Sequence, residues 1–215
     1  MYEKYVKRLI DFVLSAIGII VLSWLYLILA IAILVDDPGP IFFKQKRVGK
    51  GKTLFNLYKF RSMKMSTPHD TPTHMLENPE QYITRVGKVM RKTSLDELPQ
   101  FAQILIGKMS IIGPRPALWN QDDLIAERDK YGANDVKPGL TGWAQINGRD
   151  ELEISVKAKL DGDYCTVLQG GGIRAFLFDC RCFIGTIFSV ARGDGVVEGG
   201  TGELKKKKSS EVNHK

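Results

Sequence analysis

The stretch FVLSAIGIIVLSWLYLILAIAILV, Phe12 to Val35, carries no charged side chain. At about 1.5 Å per residue, a helix of this length just reaches across a bilayer core. It is longer than the apolar core of a signal peptide and lacks a small-residue cleavage site, so it reads as a retained segment. Lys4, Lys7 and Arg8 precede it, and Lys44, Lys46, Arg47, Lys50 and Lys52 follow. Positive flanks on both sides give no single orientation. A helix that enters the membrane and returns, with both ends cytoplasmic, satisfies both. A straight span is the second reading. A buried soluble helix is the third, because the run lacks a polar face. The expected fold class is α+β, mainly helical. A membrane-inserted helix occupies residues 1–40, one small cytoplasmic domain 41–192, and a mobile basic tail 193–215, with Lys205 to Lys208 near its centre.

Outward from this segment, Asp36-Asp37-Pro38-Gly39-Pro40 stops the helix with turn chemistry. Ile41 to Arg47 and Thr53 to Lys59 read as strands joined at Gly49-Lys50-Gly51-Lys52. Met65 to Glu80 reads as loop. Its His69, Asp70 and His74 lack the companion ligands of a metal site. Helices are expected over Tyr82 to Lys92, Trp119 to Tyr131, Glu151 to Tyr164 and Ala175 to Val190. The last contains Asp179, and Gly170 to Gly172 interrupts before it.

Thr93-Ser94-Leu95-Asp96-Glu97-Leu98-Pro99-Gln100 sets two carboxylates side by side. Leu98, Phe101, Ile104 and Leu105 follow at helical spacing, which predicts a helix to about Lys108. Ser94 and Glu97 form a capping-box pattern. A start at Asp96 accommodates Pro99 better. Either way Asp96 falls in the first turn, where the helix dipole favours a carboxylate and a bound phosphate. A plain cap pair and a nucleophile for phosphoryl chemistry both fit. Pro114 and Pro116 preset the backbone around Arg115, which suits bidentate phosphate binding. Lys137 to Arg149 is glycine-rich, as phosphate loops and ordinary turns both are. Trp143 suits a base stack or a core.

The net charge of +7 and a pI near 9.2 favour anionic partners. No nucleic-acid motif is present, so nucleotides and anionic lipids lead. Cys165, Cys180 and Cys182 are odd in number and read as small apolar residues in a reducing compartment.

Five motifs then stand in order: Lys59-Phe60-Arg61-Ser62-Met63, Leu95 to Gln100, Ile112 to Pro116, Lys137 to Gln145, and Gly148-Arg149. This series resembles the bacterial sugar transferase family, and within it the small monotopic phosphoglycosyl transferases. The likeness runs from the N-terminus to about Tyr164, and more loosely to Gly195. It implies that a UDP-sugar gives its sugar-1-phosphate to a polyprenol phosphate such as undecaprenyl phosphate, releasing UMP. It implies Asp96 as the nucleophile of an aspartyl-phosphosugar intermediate and as a Mg2+ ligand, with Glu97 beside it. Lys59, Arg61, Arg91, Arg115 and Arg149 become the substrate-binding cations. The helix is expected to break at Ser23-Trp24, where Trp24 stands in place of the family's proline. The implied location is the bacterial inner membrane, with the catalytic domain on its cytoplasmic face among membrane lipids and a homo-oligomer left open. Two other classes stay in view: a membrane-attached glycosyltransferase that releases UDP, and a non-catalytic membrane module in which Asp96 and Glu97 only cap a helix.

Overall fold

The computed structural model describes residues 1–67, 79–148 and 152–192. A π-helical stretch, Tyr2–Lys7, runs into α1 (Arg8–Val21), and α2 (Ser23–Asp36) follows at a 60° bend. The bend sits at Leu22, one residue before the expected Ser23-Trp24 pair. Leu22 leaves helical geometry (φ −95°, ψ 5°). Its carbonyl accepts from the N–H groups of Leu25 and Tyr26, which starts the new helix. The Ser23 hydroxyl donates to the Ile20 carbonyl at 2.8 Å, occupying an acceptor at the break. A hydroxyl bonding back to the previous turn thus accompanies a sharp bend without proline. Among the described residues no single helix is long and apolar enough to cross a membrane, whereas the bent pair together meets both requirements of length and composition.

The missing polar face lies at the front of the pair and turns inward. The Asp11 carboxylate accepts from the Ile111 N–H at 2.9 Å, and Ser15 is fully buried. Arg8 donates to the carbonyls of Ile104 and Leu105 at 2.7 and 2.6 Å, closing the end of α4 (Gln100–Leu105). Lys7 pairs with Asp179 at 2.9 Å. Leu9, Ile17, Ile20 and Val21 of α1, and Trp24, Leu27, Ile31 and Val35 of α2, face outward. Leu29 and Ile33 are the buried exceptions, packed with Phe60, Met90 and Leu98.

The expected hairpin is present. β1 (Phe42–Val48) pairs antiparallel with β2 (Leu54–Phe60), in register from Phe42 opposite Phe60 to Val48 opposite Leu54. α3 (Arg85–Lys92) starts later than expected because Thr84 caps it, its hydroxyl accepting from the Gly87 N–H at 2.9 Å. The run after α4 is a strand, β3 (Ser110–Ile112). It pairs in parallel with β4 (Gly139–Thr141), drawn from the glycine-rich segment. A Cβ on Gly139 would stand 2.2 Å from the Gly113 nitrogen, and one on Gly142 would stand 2.2 Å from the Gly113 carbonyl oxygen. These glycines let two backbone segments touch each other.

α5 (Asp122–Asp129) is shorter than expected. It packs on α7 (Ile154–Gly170) through a buried pair in which Arg128 donates to Asp161 at 2.8 and 2.5 Å. The short α6 (Trp143–Ile146) precedes α7. Gly171 and Gly172, both with φ +64°, turn the chain into α8 (Gly172–Arg192). Trp143 lies 4.8 Å from the Phe178 ring, with the Arg181 guanidinium 4.8 Å over its own ring. Cys165 and Cys182 are fully buried free thiols, and burial pushes both up to about 12. His69, Asp70, His74, Arg149 and the tail from 193 lie outside the described residues.

Candidate active site

The two carboxylates sit in neither helix start that their spacing suggests. Ser94 takes left-handed backbone angles (φ 56°, ψ 18°) and makes no cap bond. Leu95–Glu97 is a 3-10 turn, and α4 begins only after Pro99. A 3-10 turn places residues three apart on one side. Leu95 and Leu98 therefore both reach the apolar cluster of Leu29, Ile33, Phe60 and Met90. Asp96 and Glu97 stand between them. Pro99 precedes α4, where its missing N–H breaks no helical bond.

The turn is tied to the second helix of the bent pair. The Tyr26 hydroxyl, on α2, donates to the Leu98 carbonyl at 2.5 Å, and its ring meets Phe60 edge-on at 5.5 Å. Removing that hydroxyl in Tyr26→Phe is expected to cost about 1 kcal/mol, or roughly 2–4 °C in Tm. Thermal unfolding of the detergent-solubilised protein checks this, and an unchanged Tm would mean that the bond contributes nothing.

Among the described residues, three cations act on the pair. Phe60 points into the core, so its neighbour Lys59 turns to the other face of β2. The Lys59 ammonium lies 2.8 Å from Glu97 and 3.6 Å from Asp96. Arg115 grips Glu97 with both terminal nitrogens, at 2.5 and 3.4 Å. The charge of Arg91, at the end of α3, also reaches Asp96. Asp96 and Glu97 are both buried, yet their titration diverges. Burial raises Asp96, with Lys59 acting against it. Burial also works on Glu97, but Arg115 and Lys59 outweigh it and hold that carboxyl well below its ordinary value. Glu97 is the fixed anion of the site. The ion pair of Asp96 with Lys59, at 3.6 Å, is longer than that of Glu97, so Asp96 is the less tightly held of the two carboxylates.

A family model described as bacterial sugar transferase matches residues 2–193. The chain belongs to the bacterial sugar transferase family. Over 175 residues it is 39% identical to the UDP-glucose:undecaprenyl-phosphate glucose-1-phosphate transferase of Escherichia coli (strain K12), covering 75% of this chain and 36% of that protein. Over 167 residues it is 41% identical to the UDP-N-acetylgalactosamine-undecaprenyl-phosphate N-acetylgalactosaminephosphotransferase of Aeromonas hydrophila, covering 74% and 38%. The chain thus spans little more than a third of either relative. The exopolysaccharide production protein PSS of Rhizobium leguminosarum bv. phaseoli matches nearly end to end, 32% identical over 204 residues, or 90% of this chain and 99% of that protein.

The family's other motif residues divide. Lys59, Asp96, Glu97 and Arg115 converge, with Arg91 acting on Asp96. Arg61 is turned elsewhere. Its guanidinium donates to the Asp37 carboxylate at 2.5 Å and to the Asp37 backbone carbonyl, fixing the turn after α2. Its partner Asp37 also accepts from the Met65 N–H at 2.9 Å. Two further groups escaped the sequence reading. Gln100 and Gln145 are buried, with the Gln100 Nε2 and both polar atoms of the Gln145 amide lacking hydrogen-bond partners. A glutamine in a motif carries no sequence mark of whether its amide is satisfied.

As a cation site the pair is sparse. Among the described residues no group of three His, Cys, Asp or Glu side chains could hold a metal. Glu97 is occupied by Lys59 and Arg115, which leaves the Asp96 carboxylate. That donor set fits magnesium, which binds through one or two carboxylates with substrate phosphates and water supplying the rest.

Proposed function

We propose that this protein transfers a sugar-1-phosphate from a UDP-sugar to undecaprenyl phosphate and releases UMP, with Asp96 as a covalent nucleophile. The observation that carries the reading is the divided carboxylate pair: Glu97 clamped by Arg115 and Lys59, and Asp96 beside it with its basicity raised by burial. In the first step a carboxylate oxygen of Asp96 attacks the phosphorus that bears the sugar. An O–P bond forms, and the bond from that phosphorus to the bridging oxygen breaks with its electron pair leaving on UMP. In the second step an oxygen of the lipid phosphate attacks the same phosphorus and Asp96 leaves. The soluble donor and the lipid acceptor then never need to meet. Lys59 and Arg115 offset the repulsion between a carboxylate and a diphosphate, and Arg91 favours the ionised form of Asp96. Magnesium held by Asp96 and the donor phosphates would neutralise further phosphate charge.

The reading places catalysis in residues 41–192 at the cytoplasmic face of the inner membrane, with the bent pair within 1–40 entering and leaving on the same side. The outward apolar faces of α1 and α2 support this, as do the cations on both flanks. Cysteines placed at residue 5 and residue 39 should both react with an impermeant maleimide from the cytoplasmic side only. Labelling of one from each side would mean a straight span.

The direct test uses purified protein in nanodiscs with magnesium, a panel of UDP-sugars and no lipid acceptor. A burst of UMP with a protein mass gain of one phosphosugar is expected. UDP as the released nucleotide would move the reading to a glycosyltransferase. The first step also has a pH signature. Asp96 must be ionised to attack, and burial raises its pKa above 3.8. Single-turnover UMP release should therefore fall on the acid side at a pH above that of an ordinary aspartate, while Glu97 stays ionised throughout. An acid limb at 3.8 or below would contradict the assignment.

A further inference from the structure

A cavity of about 270 Å³ opens at the start of the helical pair and shares no lining residue with Lys59, Asp96, Glu97 or Arg115. Lys4, Lys7, Arg8, Lys50 and Lys137 all line it, against the carboxylates of Glu3 and Asp11. Most of these charges are engaged. Lys7 is on Asp179, Arg8 on two carbonyls, Lys50 on Glu3 at 3.2 Å, and Asp11 on the Ile111 N–H. Lys137 differs: it is half-buried and, among the described residues, its side chain has no hydrogen bond or ion pair. Burial and the like charges of Arg8 and Lys50, against Asp11 and Glu3, lower its pKa. Burial thus strips part of the water from this ammonium, and among the described residues no carboxylate is paired with it.

The second observation is independent of charge. Ser110 also lines the cavity, is 1% exposed, and its Oγ has no hydrogen-bond partner. A buried hydroxyl without a partner is costly, and native structures rarely leave one. An ammonium and a hydroxyl bordering one small cavity are both satisfied by an anionic oxygen acceptor. The volume lies below that of pockets for drug-sized ligands and suits a small tetrahedral anion.

We propose that this cavity binds a phosphate group, with Lys137 and Ser110 as its direct ligands and the other cations supplying the field. The phosphate has two possible sources with the same chemistry: a soluble phosphate, or the headgroup of an anionic lipid, because the outward apolar face of α1 begins at Leu9, beside the cavity. The inference does not depend on the transferase reading.

The test reads Lys137 directly, so phosphate at the Asp96 cluster does not disturb it. The full chain is acylated competitively with acetic anhydride, and Lys137 is quantified by peptide mass spectrometry against the exposed Lys44. Inorganic phosphate is added in detergent, and nanodiscs of phosphatidylglycerol are compared with nanodiscs of phosphatidylcholine. Several-fold protection of Lys137 by inorganic phosphate identifies a soluble source. Protection only in phosphatidylglycerol identifies a headgroup. Ser110→Ala should leave the Tm without phosphate equal or higher and weaken the protection several-fold. No protection in any condition, or protection undiminished in Ser110→Ala, overturns the proposal.

Discussion

Asp96→Asn is expected to lower sugar-phosphate transfer by at least about 10³-fold, because removing a covalent nucleophile removes the whole two-step route. It should leave the fold nearly intact. The substitution is isosteric, and the wild-type carboxylate is already disfavoured by burial, with its ion pair to Lys59 long at 3.6 Å. A neutral amide in that place forfeits little. Glu97→Gln should behave differently, because Glu97 takes charge-assisted bonds from Lys59 and Arg115 and its charge is favoured by both. That change leaves Lys59 and Arg115, both half-buried, without the charge of Glu97, so stability as well as rate should fall. The linkage sign agrees. A carboxyl held below its ordinary value stabilises the fold above that value and loses the contribution as the pH drops through its own lowered pKa. Intact mass after incubation with the UDP-sugar panel, beside a melting curve for each variant, separates the cases. If Asp96→Asn still gains a phosphosugar or releases UMP at the wild-type rate, Asp96 is not the nucleophile. If wild type and both variants are equally inert with every donor, the turn is only structural.

Much of this site was legible because it is local in sequence. Adjacent carboxylates, a proline-flanked arginine and a hairpin around Gly49 to Lys52 announce themselves within a few residues. What escaped depends on partners far along the chain. The capping-box pattern at Ser94 and Glu97 predicted a helix start, but burial of Leu95 and Leu98 together against α2 and α3 favours a 3-10 turn instead. The glycines of 137–149 fitted a phosphate loop and ordinary turns alike. Of these, Gly139 and Gly142 are consumed by contact with Gly113, and no period marks a strand as short as β4. Arg61 shared a motif with Lys59, yet its partner Asp37 lies across the turn after α2. The polar side of α1 escaped because it begins with Lys7, Arg8 and Asp11, before the uncharged run.

The same distance hid Asp179, whose loss is expected to destabilise the protein more than any other single change considered. The Tyr2 hydroxyl donates to Oδ2 at 2.7 Å and the Lys7 ammonium to the same oxygen at 2.9 Å, while the Tyr164 hydroxyl donates to Oδ1 at 2.9 Å. Tyr164 also reaches the Ile112 carbonyl at 3.1 Å, so one carboxylate joins the N-terminal helix, β3, α7 and α8. Burial, with Asp179 adding to it, raises Tyr164 well above its ordinary value, so its hydroxyl remains a donor at neutral pH. The Lys7 and Asp179 side chains are only 8% and 10% exposed. Asp179→Ala therefore leaves a buried ammonium without its partner, a loss of about 3–5 kcal/mol and roughly 10 °C in Tm. Asp179→Asn keeps an acceptor oxygen and should lose less. The double variant Lys7→Met with Asp179→Ala should be less destabilised than the two single losses added together, because no unpaired ammonium remains. Calorimetry on the four proteins in detergent reads the coupling. Additive losses would mean that Lys7 and Asp179 act independently, and an unchanged Tm in Asp179→Ala would mean that the N-terminal helix is held on the domain by its other contacts, those of Arg8 and Asp11 among them. The expected result instead ties the N-terminal helix to β3, the strand that leads directly into Pro114 and Arg115, so that helix and the cation that clamps Glu97 belong to one packed unit.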